Sequence, residues 1–490
     1  MNASSENSSV ENAKKRLSAP RMKWIRFAIW GAITVLFSIW TKSLWWLIAL
    51  PLFFDLYITR FIPWGFWKNS KNKAFSSIMD WVDAITFALV AVYIINIYFF
   101  QNYQIPSSSL EKSLLVGDFL FVSKLSYGPR VPNTPISFPL AQHTIPVLNC
   151  KSYLDKPNWD YKRVKGFGSI KRNDIVVFNF PAGDTVPVKM TNPDYYSLCY
   201  LMATSNNATV NEAAQYIKNN PEQYGKVVYR PVDRRENYVK RCVGLPGDSL
   251  QIIKNQLYID GKHIQDEPGV QHNYYVQTKG AYIGKKQFRE WGISKEDQVI
   301  LPEGDFITNY IPFKKDLNGK MNPVYNLPLT KKILQQLTKS PLIDTIIIEP
   351  DTLGGINLTG VTYPLNEKFD WTRDNYGPIW IPVKGGTIAL NEYNLALYKH
   401  VISHYERRSI EIKDGKVLID GKESSTYTFT MDYYWMMGDN RHKSADSRTW
   451  GFVPEDHVVG KPILVWLSLD KDRKLFDGKI RWKRFFMKAS

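Results

Sequence analysis

The chain has 490 residues, too many for one ordinary domain, so two or three folded units, each with its own core, are expected. Its 63 Lys and Arg outnumber 46 Asp and Glu, and the formal charge of +17 suits an anionic membrane surface. No basic stripe interleaved with aromatics recurs at a fixed spacing, which argues against nucleic acid as a partner.

Apolar residues crowd residues 24–100. Fifteen uncharged residues separate Arg26 from Lys42, enough for a short or tilted membrane helix. The next run, Ser43 to Ile58, is interrupted by Pro51 and Asp55 but carries tryptophans suited to an interface. The third, Ala84 to Phe100, has seventeen uncharged residues that span roughly 25 Å as a helix. Lys14, Lys15, Arg16, Arg21, Lys23 and Arg26 precede the first run, and Arg60, Lys68, Lys71 and Lys73 follow the second. Putting both basic segments on the cytoplasmic side favours three spans over two, with a cytoplasmic tail at 1–23, a membrane region at 24–100 and everything later on the far side. A re-entrant hairpin made of the first two runs is the alternative.

Beyond Phe100, short alternating runs punctuated by turns (DFLFVSKLSYG, NDIVVFNFP, YVKRCVG, GKPILVWLSL) predict a mostly β, antiparallel fold. Helices are expected at Asn211 to Lys218 and Thr330 to Thr338. SLQIIKNQLYIDGK at Ser249 is echoed by SIEIKDGKVLIDGK at Ser409, an offset of 160 residues, and reads as two related hairpins. The expected division is a first catalytic part at 101–266, a β-rich insert of unassigned role at 267–384, and a completing part at 385–490. Among the three cysteines, Cys150 paired with Cys199 and three buried thiols both fit; no Cys/His cluster has zinc-ligand spacing, so no metal is expected.

Three segments carry chemistry: IPSSSLEK at Ile105, YVKRCVGLPGD at Tyr238 and GDNRHKSADSR at Gly438. Together they resemble the type I signal peptidases of bacteria, whose marks are Pro-Ser-Gly-Ser-Met, a Lys-Arg pair leading into Gly-Leu-Pro-Gly-Asp, and Gly-Asp-Asn-Arg ending in Ser-Asp-Ser-Arg. The pattern covers roughly Ile105 to Tyr127, Asn173 to Pro181, Asn237 to Asp260 and Tyr433 to Trp466. Carried over by position, the resemblance implies Ser109 as nucleophile and Lys240 as general base. It implies Ser107 and the Ser109 amide as the oxyanion hole, and Ser444 as the hydroxyl that orients the lysine. Asp446 with Arg448, and Asp439 and Arg441 beside them, are implied as structural support. It further implies a Ser/Lys dyad with no organic cofactor, preprotein signal peptides as substrates cut after small residues, the lipid membrane and the protein export machinery as partners, and a catalytic domain on the outer face of the cytoplasmic membrane.

The residues support these roles on their own terms. A serine hydroxyl attacks only if a base takes its proton, and a lysine with its usual pKa near 10.4 is charged. Val239 and Val243 flank Lys240 across Cys242, so an apolar strand can desolvate the amine and lower its pKa by up to ~3–5. Three departures from the family pattern stand in the serine segment: Ser108 for glycine, Leu110 for methionine and Lys112 for a frequent proline. Ser108 raises the question whether the loop needs a positive φ there. A rival Ser-x-x-Lys pairing, Ser109 with Lys112, needs a helical turn where VGDFLFVSK reads as strand. Lys399 in LALYKHV, expected in the strand before the second hairpin, is a decoy base because HYERR stands where GLPGD should follow. A membrane-tethered binding protein without turnover is the rival from another class.

Overall fold

The structure is a computed structural model and describes residues 20–474 and 476–489; Lys14, Lys15 and Arg16 of the expected cytoplasmic tail lie outside them. A helix at Arg21–Thr41 ends where Lys42 takes a left-handed conformation, and the chain doubles back through an apolar helix at Leu44–Thr59. That second helix passes from 3-10 through α to π geometry and brings Phe54 against Trp24 and Phe27, at ring distances of 6.2 and 5.4 Å. A third helix, Lys73–Tyr98, is capped by Asn72 and returns Tyr98 to Phe37, 5.1 Å away. Among the described residues, two of these helices are long and apolar enough to cross a membrane, where three spans were expected. The middle one, at 16 residues or roughly 24 Å, is shorter.

The Phe37–Tyr98 contact brings the C-terminal ends of the first and third helices together, and the β fold begins at that end. There the Trp40 indole N–H donates to the Lys165 carbonyl and Lys162 Nζ donates to the Lys42 carbonyl, at 3.3 and 2.7 Å. Phe100–Gln104 enters the sheet directly from the third helix.

The remainder is mostly antiparallel β. The main sheet has eight strands in the order Phe100–Gln104, Asp118–Ser123, Val458–Ser468, Ile175–Asn179, Asn237–Gly244, Tyr433–Met437 and Val453–Pro454, with Met487–Lys488 also pairing with Val458–Ser468. Ile175–Asn179 is buried at every position, which explains its unbroken apolar run IVVF. Ile105, Leu110, Leu114 and Leu120 pack behind the serine segment.

The two echoed hairpins have the same register: Ile252 faces Leu257 in one as Ile412 faces Val417 in the other. In both, the closing aspartate accepts from the serine amide across 2.9 Å, Asp260 from Ser249 and Asp420 from Ser409. Their surroundings differ. Tyr376–Trp380 covers the outer edge of Ser249–Ile253, and Ile252 is 3% exposed; Ile410–Lys413 is an uncovered edge, and Ile412 is 62% exposed.

Gln271–Thr278, Val299–Leu301, Val324–Thr330 and Ile343–Ile348 form a separate four-stranded sheet with its own core, including Val276, Phe288, Tyr325 and Leu337. The Tyr376–Trp380 strand falls inside the 267–384 bounds but pairs with Ser249–Ile253 rather than with this sheet.

The helices expected near 211 and 330 form as Val210–Asn219, with a Thr209–Glu212 capping box, and Lys331–Thr338, capped by Thr330. Of the helices not expected, the two longest among the described residues of the β fold are Tyr195–Ser205, capped by Asp194, and Glu392–His400, capped by Asn391. The second corrects the placement of Lys399, which lies on a helix and not in a strand. Neither cysteine alternative holds: all three thiols are free, with Cys150 exposed on a short strand and Cys199, in the Tyr195–Ser205 helix, and Cys242 buried.

Candidate active site

Ser109 sits in a single 3-10 turn, Ser108–Leu110, with Leu110 buried beneath it as its anchor. The turn keeps ordinary helical backbone at Ser108, so no glycine is needed there. The positive φ of this loop, 79°, falls instead at Lys112, a conformation that proline cannot adopt. Asn440 fixes the turn from behind: its amide donates to the Ser109 carbonyl at 3.0 Å, and its side-chain amide donates to the Ser108 carbonyl at 3.3 Å. That approach demands glycine at position 438, where a Cβ would come within 2.6 Å of the Ser109 carbonyl oxygen.

Lys240 lies in Asn237–Gly244, paired with Val176 on the neighbouring strand. Its Nζ donates to Ser109 Oγ across 2.6 Å, and both residues are buried. Burial lowers the lysine pKa to about 8, with the Asp446 and Asp439 carboxylates opposing that shift. The amine is therefore close to neutral in mildly alkaline conditions, although the neighbouring carboxylates favour its charge. Ser107 Oγ is 3.4 Å from Ser109 Oγ, on the open side of the turn.

Buried ion pairs hold the two segments together. Arg448 donates from Nε and Nη2 to the Asp446 carboxylate at 2.9 and 2.8 Å, and Asp446 also accepts from the Gly438 amide. Burial raises the Asp446 pKa, but Arg448 and these hydrogen bonds outweigh it and hold the carboxyl below its usual range. Asp439 and Arg441, expected beside each other as supports, do not pair. Asp439 takes two hydrogen bonds from Arg241, at 2.8 and 2.7 Å, and one from Ser113 Oγ at 2.5 Å, while Arg441 reaches Asp266 at 3.0 Å. Ser444 lies beside Gly438, but its hydroxyl donates to the Ala445 carbonyl at 3.4 Å and not to Lys240.

A cleft of 560 Å³ opens in front of the pair, with Ile105, Phe180, Val186 and Tyr238 among its apolar walls and Lys443 and Ala445 at its rim. The separate four-stranded sheet reaches this region at three points that sequence reasoning missed. Gln271 exchanges backbone hydrogen bonds of 2.9 Å with Asp439 and Arg441. Lys443 Nζ donates to the buried Asp297 at 2.6 Å. Lys112 Nζ donates to the carbonyls of Trp291 and Gly292, which turns it away from Ser109 and removes the Ser-x-x-Lys alternative. Arg241 had a signal, since it stands in the Lys-Arg pair; Asp297 and Lys443 had none.

Among the described residues, no group of His, Cys, Asp and Glu could hold a metal ion. A serine hydroxyl bonded to a buried amine of lowered pKa, beside an apolar cleft, is suited to nucleophilic attack on an acyl group without one.

Comparison with known proteins gives the same direction. The family described as Signal peptidase, peptidase S26, matches residues 78–308 and 381–467, over half of the chain. Signal peptidase I of Buchnera aphidicola subsp. Acyrthosiphon pisum is 24% identical over 425 residues, covering 85% of this chain and 83% of its own length. Signal peptidase I of Haemophilus influenzae is 22% identical over 420 residues, covering 86% and 78%. Signal peptidase I of Pseudomonas aeruginosa is 23% identical over 228 residues, covering 44% and 54%. Family match and site geometry agree: this chain belongs to the signal peptidase family, peptidase S26.

Proposed function

We propose that Ser109 and Lys240 are the nucleophile and general base with which this serine endopeptidase removes signal peptides from exported preproteins. The observation that carries the assignment is the 2.6 Å hydrogen bond between Lys240 Nζ and Ser109 Oγ in a buried setting. Neutral Lys240 takes the Ser109 proton as Oγ attacks the scissile carbonyl, then gives it to the leaving amine. Water clears the acyl-enzyme by the same route. The Ser109 amide and the Ser107 hydroxyl steady the oxyanion, each donor worth roughly 2.7–4 kcal/mol in comparable enzymes. Ser444, which lies beside Gly438, is the hydroxyl that orients the Lys240 amine in this reading.

The substrate lies extended against an exposed strand edge, with small residues one and three positions before the cut facing the apolar walls. The three N-terminal helices cross the cytoplasmic membrane as an antiparallel set. The N-terminus is then inside, and the catalytic fold sits on the outer face, where preproteins leave the export machinery. Arg21 and Lys73, which start helices whose far ends meet beside the β fold, support this orientation. Residues 267–374 are an insert that braces the serine loop through Lys112, Gln271 and Lys443.

The test is cleavage of a preprotein by the wild type, Ser109→Ala and Lys240→Ala. Loss of cleavage in both variants is expected; unimpaired cleavage by either one refutes the dyad.

A further inference from the structure

We infer that a cavity between the last membrane helix and the main sheet binds the phosphate of an anionic phospholipid. The cavity, of 640 Å³, has two walls of different origin. Val92 and Ile95, from the last two turns of Lys73–Tyr98, supply an apolar side that suits an acyl chain. Lys124, Arg130 and Arg234 supply a cationic side, with Asp233 as the acidic residue of the lining.

Lys124 marks the level at which the chain leaves the helix, because its amide donates to the Phe99 carbonyl at 2.9 Å. The two guanidinium groups are committed to protein partners: Arg130 to Asn179 Oδ1 at 2.7 Å and to the Asp456 carbonyl, Arg234 to Thr134 and, at 3.8 Å, Asp233. The Lys124 ammonium has no hydrogen-bonding or ion-pair partner among the described residues. It lines the cavity in a field that Arg130, Arg163 and Arg234 make positive. Burial and those three cations lower its pKa to about 7, with Asp233 opposing, and an anion beside it reverses that cost. A phosphodiester satisfies this arrangement, offering the charge to Lys124 and its chains to the helix face. A signal peptide's apolar stretch brings no such charge.

The inference rests on the helix crossing the membrane, and flotation of the full chain with pure phosphatidylcholine vesicles tests that separately. The lipid site is tested by native mass spectrometry of the detergent-solubilised full chain, given equal amounts of phosphatidylglycerol and phosphatidylcholine. The wild type should retain phosphatidylglycerol roughly tenfold over phosphatidylcholine, Lys124→Arg should keep that preference, and Lys124→Met should lose it. Equal retention of the two lipids, or an unchanged preference in Lys124→Met, overturns the site. Displacement of phosphatidylglycerol by millimolar inorganic phosphate overturns the lipid reading in favour of a free-anion site. Displacement by a synthetic signal peptide assigns the cavity to substrate instead. The readout is retained lipid rather than cleavage, so it stands or falls independently of the dyad.

Discussion

Arg241 grips Asp439 with hydrogen bonds of 2.8 and 2.7 Å, so the strand that carries Lys240 is tied to the segment that backs Ser109. The proposed nucleophile and base come from segments far apart in sequence, and this buried pair ties those segments together. Asp439→Ala leaves the Arg241 charge buried without its carboxylate, and loss of one partner in such a pair costs about 3–5 kcal/mol. The detergent-solubilised variant should melt well below the wild type, and an unchanged melting temperature would show that the pair carries no load.

The rate should depend on pH through Lys240. As the proposed base its amine acts only when neutral, and with a pKa lowered to about 8 the charged form predominates below that value. The kcat/KM profile should therefore rise about tenfold per pH unit on its acid side and level off above about pH 8. The Asp446 carboxylate raises the lysine pKa against the effect of burial, so Asp446→Asn should move this limb to lower pH. A limb that stays in place, measured on folded protein, would remove Asp446 from the electrostatics of the base.

Ser108→Gly should leave kcat/KM nearly unchanged, since the turn asks for no left-handed backbone at that position, with a stability cost of about 0.5–1 kcal/mol from added chain freedom. Lys112→Pro should be far worse, because a φ of 79° is closed to proline and the contact with Trp291 and Gly292 is lost. Cleavage assays on the two variants test both statements. Equal activity in the two would contradict the loop geometry.

The Asp297–Lys443 pair couples the insert to the rim of the cleft. In a double-mutant cycle with Asp297→Ala and Lys443→Ala, KM for a preprotein should show a coupling of about 0.5–3 kcal/mol. Strict additivity would leave the insert without influence on substrate.

Cys150 is an exposed thiol on the catalytic side, while Cys199 and Cys242 are buried. In intact spheroplasts a membrane-impermeant maleimide should label the wild type and leave Cys150→Ser unlabelled. Labelling that appears only after lysis would invert the proposed orientation.

Much of the site was legible because its chemistry is local in sequence. Ser109 and Lys240 stand in short motifs, but the burial of the amine depends on the fold: Tyr238, two residues back on the same strand face, lies with its ring 5.7 Å from Nζ. The partners of Asp439 and Arg441 were not legible, since Arg241 and Asp266 lie far from GDNR in the sequence. The direction of the Ser444 hydroxyl is a rotamer choice that no motif encodes. The strands showed through their alternation, yet YYSLCYLMATS gave little helical pattern and its clearest signal was the capping Asp194. LALYKHV has no strong helical pattern, and the sequence cue to its helix is the capping Asn391. The boundary of the insert depends on Tyr376–Trp380 joining a strand more than a hundred residues earlier, a pairing invisible to local reading.

The echoed hairpins show one consequence of losing a neighbour. Where Tyr376–Trp380 lies alongside, the first copy has Gln251 and Ile253; where no strand among the described residues pairs alongside, the second has Glu411 and Lys413 at the same positions. A bare row of backbone donors and acceptors invites another chain to join it, and charges along that row make the encounter unfavourable. The second hairpin thus carries its own safeguard against self-association.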